Sequence, residues 1–229
     1  MGIHWTSLTE RFPDEEQCLA SFIAWQAAEV ISNVKPANLV NIFDRELACG
    51  RNIHALWQKY KATVFAAGEI RALELKQKNN SLLILIYHQE ALAKVLQKHV
   101  VKATLGKLGY RYDNSIEALA QLKERMQGAD FPHEVGFFLG YPIKDVLGFM
   151  GLCNLPHVGN GPWKMYGKRE ASMATWKEHL AARKSVLDTL CSNVNPLFLL
   201  QKNPPVSYMR NSPQLNHNSP ESCFLSAMG

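Results

Sequence analysis

The chain has 229 residues, of which 47% are hydrophobic and 20% charged. A chain of this length and composition can bury a sizeable core, so we do not expect it to be disordered throughout. Its net charge of +5 is mildly basic, but lysine and arginine are dispersed, which argues against a role in nucleic-acid binding. The N-terminal residues lack the apolar segment of a secretory signal and the longest apolar run is too short to cross a bilayer, so we expect a cytoplasmic protein.

The five cysteines are widely spaced, and no C-x-x-C pair occurs. An odd number without paired spacing is not typical of a disulfide framework or a zinc knuckle. The sequence therefore predicts free thiols that are mostly buried as small apolar side chains.

The first half of the chain predicts helices around a short sheet. A helix is expected over residues 14–32, ended by Asn33 and Pro36, then a strand at 39–43 and a helix at 51–60. Residues 69–76 and 81–87 predict a β-hairpin with its turn at 77–80. Because the second strand is apolar throughout, it should be covered on both faces.

The second half predicts mainly helices. They are expected over 89–108, over 115–126 with Ser115 as N-cap, and over 170–190. A loop rich in glycine and proline at 155–162 should lead into a strand at 163–166. From residue 193 the composition turns polar and rich in proline, which predicts a mobile tail, with 197–200 docking on the preceding domain of residues 1–192.

The most informative segment is FPHEVGFFLGYPIKDV, residues 131–146. Pro132 and Glu134 suit the first turn of a helix, and Gly140 followed by Tyr141 and Pro142 should end it. A second helix should then begin at Ile143. The expected fold is α+β: a small antiparallel or mixed sheet covered by helices, with a helical hairpin at 132–150.

This segment and the later GPWKMYG, residues 161–167, carry a resemblance. They resemble an uncharacterised bacterial family, found mostly in clostridia and other anaerobes, whose members carry an FPHEIGxFLGYPxxDV pattern and a WKVY segment. The resemblance covers about residues 12 to 190, with departures at His88 and Pro162. It implies the α+β fold and names no activity, substrate or cofactor.

We expect the hairpin and the strand at 163–166 to form a surface that binds a small molecule or a protein partner. The density of unusual residue types there supports this expectation rather than any recognised chemistry. Its candidate ligand-binding residues are Tyr141, Lys144, Asp145, Trp163, Lys164 and Tyr166.

Two other functions stay open from the sequence. In the first, His133 and Glu134 act as an acid–base pair in an enzyme, although a purely structural role at the helix start explains them as well. In the second, the hairpin is a helix-turn-helix that binds nucleic acid, but its second helix offers base edges little besides Lys144.

The remaining candidate is a metal site. Cys153 and His157 are four residues apart and both can bind soft metals, but two ligands in a loop make an incomplete site.

Overall fold

The computed structural model describes residues 11–47, 49–192 and 194–201. Within these ranges the chain forms ten helices and five strands. In chain order they are α1 (Glu15–Gln26), α2 (Ala28–Ile31), β1 (Ala37–Phe43), α3 (Ile53–Val64), β2 (Ile70–Lys78), β3 (Ser81–His88), α4 (Gln89–Leu96), α5 (His99–Lys107), α6 (Ser115–Arg125), α7 (Val135–Phe138), α8 (Ile143–Phe149), β4 (His157–Asn160), β5 (Lys164–Tyr166), α9 (Arg169–Cys191) and α10 (Pro196–Gln201).

The main sheet has three antiparallel strands in the order β1-β3-β2. The apolar β3 is therefore central, as its sequence predicted, and it pairs with β2 through a hairpin whose turn includes Asn79 at a φ of 47°. A second, two-stranded sheet joins β4 to β5. The predicted α+β class with a small sheet is confirmed, and both sheets are antiparallel.

The main sheet separates two apolar cores. Side chains at alternating positions of β3 explain this, because Ile84 and Ile86 face one core while Leu85 faces the other. The first core lies under α1, α2, α3, α10 and the second half of α9. The second lies under α4 to α8, so the hairpin of α7 and α8 is anchored on that side.

Several element boundaries differ from the sequence predictions. The helix expected at 14–32 is interrupted at Ala27, and the one expected at 89–108 is interrupted at 97–98. Asn114, not Ser115, is the N-cap of α6, because its side chain accepts a hydrogen bond from the backbone N–H of Glu117. Part of the loop expected at 155–162 forms β4, which pairs with β5.

The chain continues to pack on the domain beyond residue 192. Leu199 and Leu200 of α10 are buried in the first core, where α10 lies against α1. Docking of 197–200 was the expectation from the sequence. The rest of the predicted tail, 202–229, lies outside the described residues.

Two further sequence-level expectations concern cysteines and membrane segments. The four cysteines in the described ranges form no disulfide, and only Cys18 among them is fully buried. The fifth, Cys223, lies outside those ranges. Across the described helices, none combines the length and apolar character that a membrane crossing requires.

Candidate functional site

The segment at 131–150 folds into two short helices joined by a tight turn. The amide of Tyr141 donates to the carbonyl of Gly136 at 3.0 Å, and that of Gly140 donates to Phe137 at 3.0 Å, which closes α7. Pro142 then precedes the first turn of α8. The helical hairpin predicted from the sequence is present, although its first helix is one turn long.

Two glycines in this hairpin are required by close packing. Gly140 has a φ of 71° and lies against the ring of Pro36, so a side chain there would be strained and would collide. Gly148 on α8 lies against the ring of Tyr166 on β5. These contacts hold the hairpin against both the start of β1 and the second sheet.

Asp145 is the centre of a buried hydrogen-bond network. Its carboxylate, 2% exposed, accepts from the indole N–H of Trp163 at 2.8 Å and from the backbone N–H of Tyr166 at 2.8 Å. The hydroxyl of Ser172 on α9 and the ammonium of Lys144 also donate to it, each at 2.6 Å. One carboxylate therefore joins α8, β5 and α9.

Lys144 belongs to the same network. Its ammonium also donates to the carbonyl of Tyr166 at 2.5 Å and to the hydroxyl of Ser172 at 2.7 Å. Burial alone would raise the pKa of Asp145, but hydrogen bonds from Lys144, Ser172, Tyr166 and Trp163 outweigh it and hold that pKa below its usual value. The pair is a fixed support for the site, with its hydrogen-bonding groups committed to protein atoms.

Trp163, held by Asp145, stacks on Tyr141 of the hairpin turn. The two ring centroids are 4.9 Å apart and the ring planes are inclined by 24°. This stacked pair, together with Leu39 on the edge strand β1, lines two separate cavities. The hairpin and the segment of β5 are thus brought together.

The first cavity is apolar and has a volume of about 350 Å³. It lies between the hairpin and the main sheet, and we call it the apolar cavity. Its walls are formed by the side chains of Leu39, Val135, Leu139, Tyr141, Val146 and Trp163, and its mouth by Phe131, His133, Phe149 and Lys164.

The mouth of the apolar cavity combines exposed aromatic rings with a cation and a histidine. Phe131 and Phe149 are 49% and 42% exposed, which is unusual for phenylalanine. The His133 ring meets Phe149 edge-on at 4.9 Å, and the ammonium of Lys164 lies 5.4 Å from the Phe149 ring centre. Lys164 and His133, both predicted site residues, therefore border one opening.

Glu134 has a different environment from its neighbour His133. Its carboxylate, 4% exposed, accepts from Arg125 Nε at 2.6 Å and from the hydroxyl of Tyr110 at 3.2 Å. Burial and the adjacent Glu134 charge raise the pKa of Tyr110. Both His133 and Glu134 border a shallow groove next to Met150, but the Glu134 oxygen that faces Arg125 is already hydrogen-bonded.

The candidate metal ligands Cys153 and His157 are not on a common helix. His157 lies on β4, where its Nε2 is 3.0 Å from the side-chain oxygen of Asn160 and its ring meets Tyr166 edge-on. The sulfur of Cys153 lies 4.0 Å from the carbonyl of Lys144. Within the described ranges, no cluster of three or more potential metal ligands occurs.

The second cavity, of about 220 Å³, shares Leu39, Tyr141 and Trp163 with the first, and no pattern in the sequence predicts it. We call it the polar cavity, because polar and charged side chains that are buried or half-buried line it. They are contributed by α2, the segment around β1 and α9: Glu29, Lys35, Asn38, His179 and Arg183. A sequence signal existed in Glu29, which interrupts the otherwise apolar run of residues 27–31.

Hydrogen bonds link four of these side chains to one another. Arg183 donates to Glu29 Oε1 from Nε at 3.1 Å and from Nη2 at 2.9 Å, and the amide nitrogen of Asn38 donates to Glu29 Oε2 at 3.1 Å. The ammonium of Lys35 donates to Asn38 Oδ1 and lies 5.0 Å from the centre of the Tyr141 ring. Burial lowers the pKa of Lys35 to about 8, although the Glu29 carboxylate opposes the shift.

Comparisons with known proteins give one match. Residues 23–200 match the family model described as "Protein of unknown function (DUF3793)", and the chain belongs to this family. The match spans both cavities and the hairpin. Neither a search of curated proteins nor a search of solved structures returned a match.

Proposed function

We propose that this member of the DUF3793 family binds a small amphipathic anion in the apolar cavity. The observation that carries the proposal is the cavity itself: about 350 Å³ of apolar space, with Lys164 and His133 at its mouth. Cavities of roughly 300–1,000 Å³ with apolar walls and a few polar groups are typical of small-molecule sites.

The charge of the ligand is inferred from the side chains that remain available. Asp145 borders the cavity, but its carboxylate already accepts four hydrogen bonds. Lys164 is exposed, and its ammonium lies over the face of Phe149 rather than against a carboxylate. A ligand that places its apolar body among the aromatic walls can therefore pair an anionic group with Lys164.

The wall is also rigid, which favours binding. Trp163 is fixed by its hydrogen bond to Asp145 and by stacking on Tyr141, so little side-chain freedom is lost when a ligand contacts it. The two exposed phenylalanines at the mouth provide apolar surface that a ligand would cover.

A fluorescence titration with 1-anilinonaphthalene-8-sulfonate tests the proposal, because this probe joins an aromatic body to one anionic group. We expect saturable binding of one probe per chain with blue-shifted emission. Lys164→Met should weaken binding by about threefold, the value of one exposed charge pair. Phe149→Ala should weaken it by about tenfold through loss of an aromatic contact.

The matched control is Lys168→Met, since Lys168 is an exposed lysine of the same segment that does not line the cavity. Circular dichroism should show that each variant is folded, because the probe also binds partly unfolded chains. Equal affinities of the Lys164 and Lys168 variants, or binding without saturation, would contradict the proposal.

A further inference from the structure

Two residues that line the polar cavity each carry a buried nitrogen without a hydrogen-bond partner. The two nitrogens are Nε2 of His179 and Nε1 of Trp176. His179 is only 6% exposed. Because an unpaired buried polar group costs roughly 1–3 kcal/mol, such groups are seldom left without a partner. The two residues that carry these nitrogens line the same cavity.

The side chains around the polar cavity offer more free hydrogen-bond donors than free acceptors. Both oxygens of Glu29 are already acceptors, from Arg183 and Asn38. An ammonium has three donors and a guanidinium five, so Lys35 and Arg183 retain unused N–H groups, and the Trp176 indole can only donate. The cavity has surplus donors and few free acceptors, which suits an oxyanion.

The charge balance narrows the class of oxyanion. Lys35 and Arg183 carry two positive charges against the one negative charge of Glu29, which leaves a net charge of +1. Burial and the nearby Lys35 cation lower the pKa of His179 to about 4, so this imidazole is neutral at pH 7. A ligand with one negative charge would neutralise the net charge of the cavity. A dianion would leave the cavity with a net charge of −1 and would be repelled by the Glu29 carboxylate.

The remaining walls are apolar. The rings of Tyr141 and Trp163 and the side chain of Leu180 border the same space. We propose that the polar cavity is a second binding site, specific for a small monocarboxylate whose carboxylate meets Trp176, His179 and Arg183 and whose short apolar body lies against these walls. This site is distinct from the apolar cavity, because its polar groups, from Glu29 to Arg183, do not line that cavity.

Isothermal titration calorimetry of the full chain at pH 7 with sodium butyrate, sodium benzoate and sodium sulfate tests this inference, because sulfate is a dianion at this pH. We expect one molecule of a monocarboxylate to bind per chain with a Kd in the millimolar range or below, and sulfate to bind more weakly. Tighter binding of sulfate, or no binding of either carboxylate at millimolar concentrations, would overturn it.

Two variants remove the unpaired nitrogens without removing a charged group. Trp176→Phe and His179→Phe keep aromatic rings and leave the Glu29–Arg183 ion pair in place. Each should weaken carboxylate binding by about tenfold, the value of one hydrogen bond to a charged group. Because neither nitrogen has a partner in the free protein, removing it leaves no other polar group unpaired.

Lys184→Met is the matched control, since Lys184 is exposed on α9 next to Arg183 and does not line the cavity. It should bind carboxylates like the unmodified protein. Lys164→Met should also leave this binding unchanged, which separates the two sites. Carboxylate binding that is insensitive to both the Trp176 and His179 variants would place the ligand elsewhere and overturn the inference.

Discussion

Replacing Asp145 by alanine is expected to destabilise the fold strongly. The carboxylate accepts four hydrogen bonds at 2.6–2.8 Å and is 2% exposed, while the Lys144 side chain is 25% exposed. Breaking a buried ion pair by removing one partner costs about 3–5 kcal/mol. Water can reach Lys144 in the variant, so we expect a loss near 3 kcal/mol rather than the sum of four separate bonds.

Urea denaturation at pH 7, followed by circular dichroism, measures the loss. Asp188→Ala is the control, because Asp188 is exposed on α9 and should change the free energy of unfolding by no more than about 0.5 kcal/mol. A loss below about 1 kcal/mol would refute the view that this network holds the site together.

The same network predicts a dependence on pH. The pKa of Asp145 is lowered in the folded state relative to the unfolded value of about 4. The stability it contributes is therefore present above about pH 4 and is lost as the pH falls through the folded-state pKa. As the pH falls below about 4, the free energy of unfolding should decrease less steeply for Asp145→Ala than for the unmodified protein. Equal slopes for the two proteins would argue against a lowered pKa at Asp145.

Three further changes give distinct outcomes. His133→Ala should weaken probe binding a few-fold at unchanged stability, whereas Glu134→Ala should lower the free energy of unfolding by about 2 kcal/mol with binding retained. A destabilised His133→Ala variant would instead indicate a structural role for His133 at the helix start. Gly140→Ala should lower the Tm because alanine must adopt a φ of 71° against a proline ring, and an unchanged Tm would contradict the close contact. The pKa of His179 is about 4 in the folded protein, so between about pH 6.5 and 4 the unfolded chain binds a proton there and the folded protein does not. The unmodified protein therefore loses stability as the pH falls through this range, and His179→Phe should remove that loss. An unchanged slope of the free energy of unfolding against pH would contradict the burial of His179 as a neutral ring.

The sequence predicted the parts of the fold that local patterns determine. The apolar residues of β3 indicated a strand covered on both faces, and the Gly140–Pro142 turn indicated a helical hairpin, because each pattern reflects a local backbone requirement. The interruption at 97–98 was missed, since neither glycine nor proline marks it. The glycines and prolines around β4 predict a loop, whereas the pairing of β4 with β5 depends on tertiary contacts.

The sequence predicts the location of one of the two cavities but not of the other. The apolar cavity is lined largely by residues of the hairpin, so one segment of the sequence was enough to predict where this site lies. The polar cavity combines Glu29, Lys35 and His179, which are separated by up to 150 residues. Nothing in a local pattern shows that these groups meet, or that the Tyr141–Trp163 pair lines both cavities.

The most direct test of the central claim is the location of the bound probe. Nuclear Overhauser contacts between the aromatic protons of 1-anilinonaphthalene-8-sulfonate and the methyl groups of the protein can supply it. We predict contacts to the methyl groups of Leu139 and Val146, which line the apolar cavity. Contacts to Ile116 instead, which is 73% exposed on α6 and does not line the apolar cavity, would show surface adsorption and contradict the proposed site.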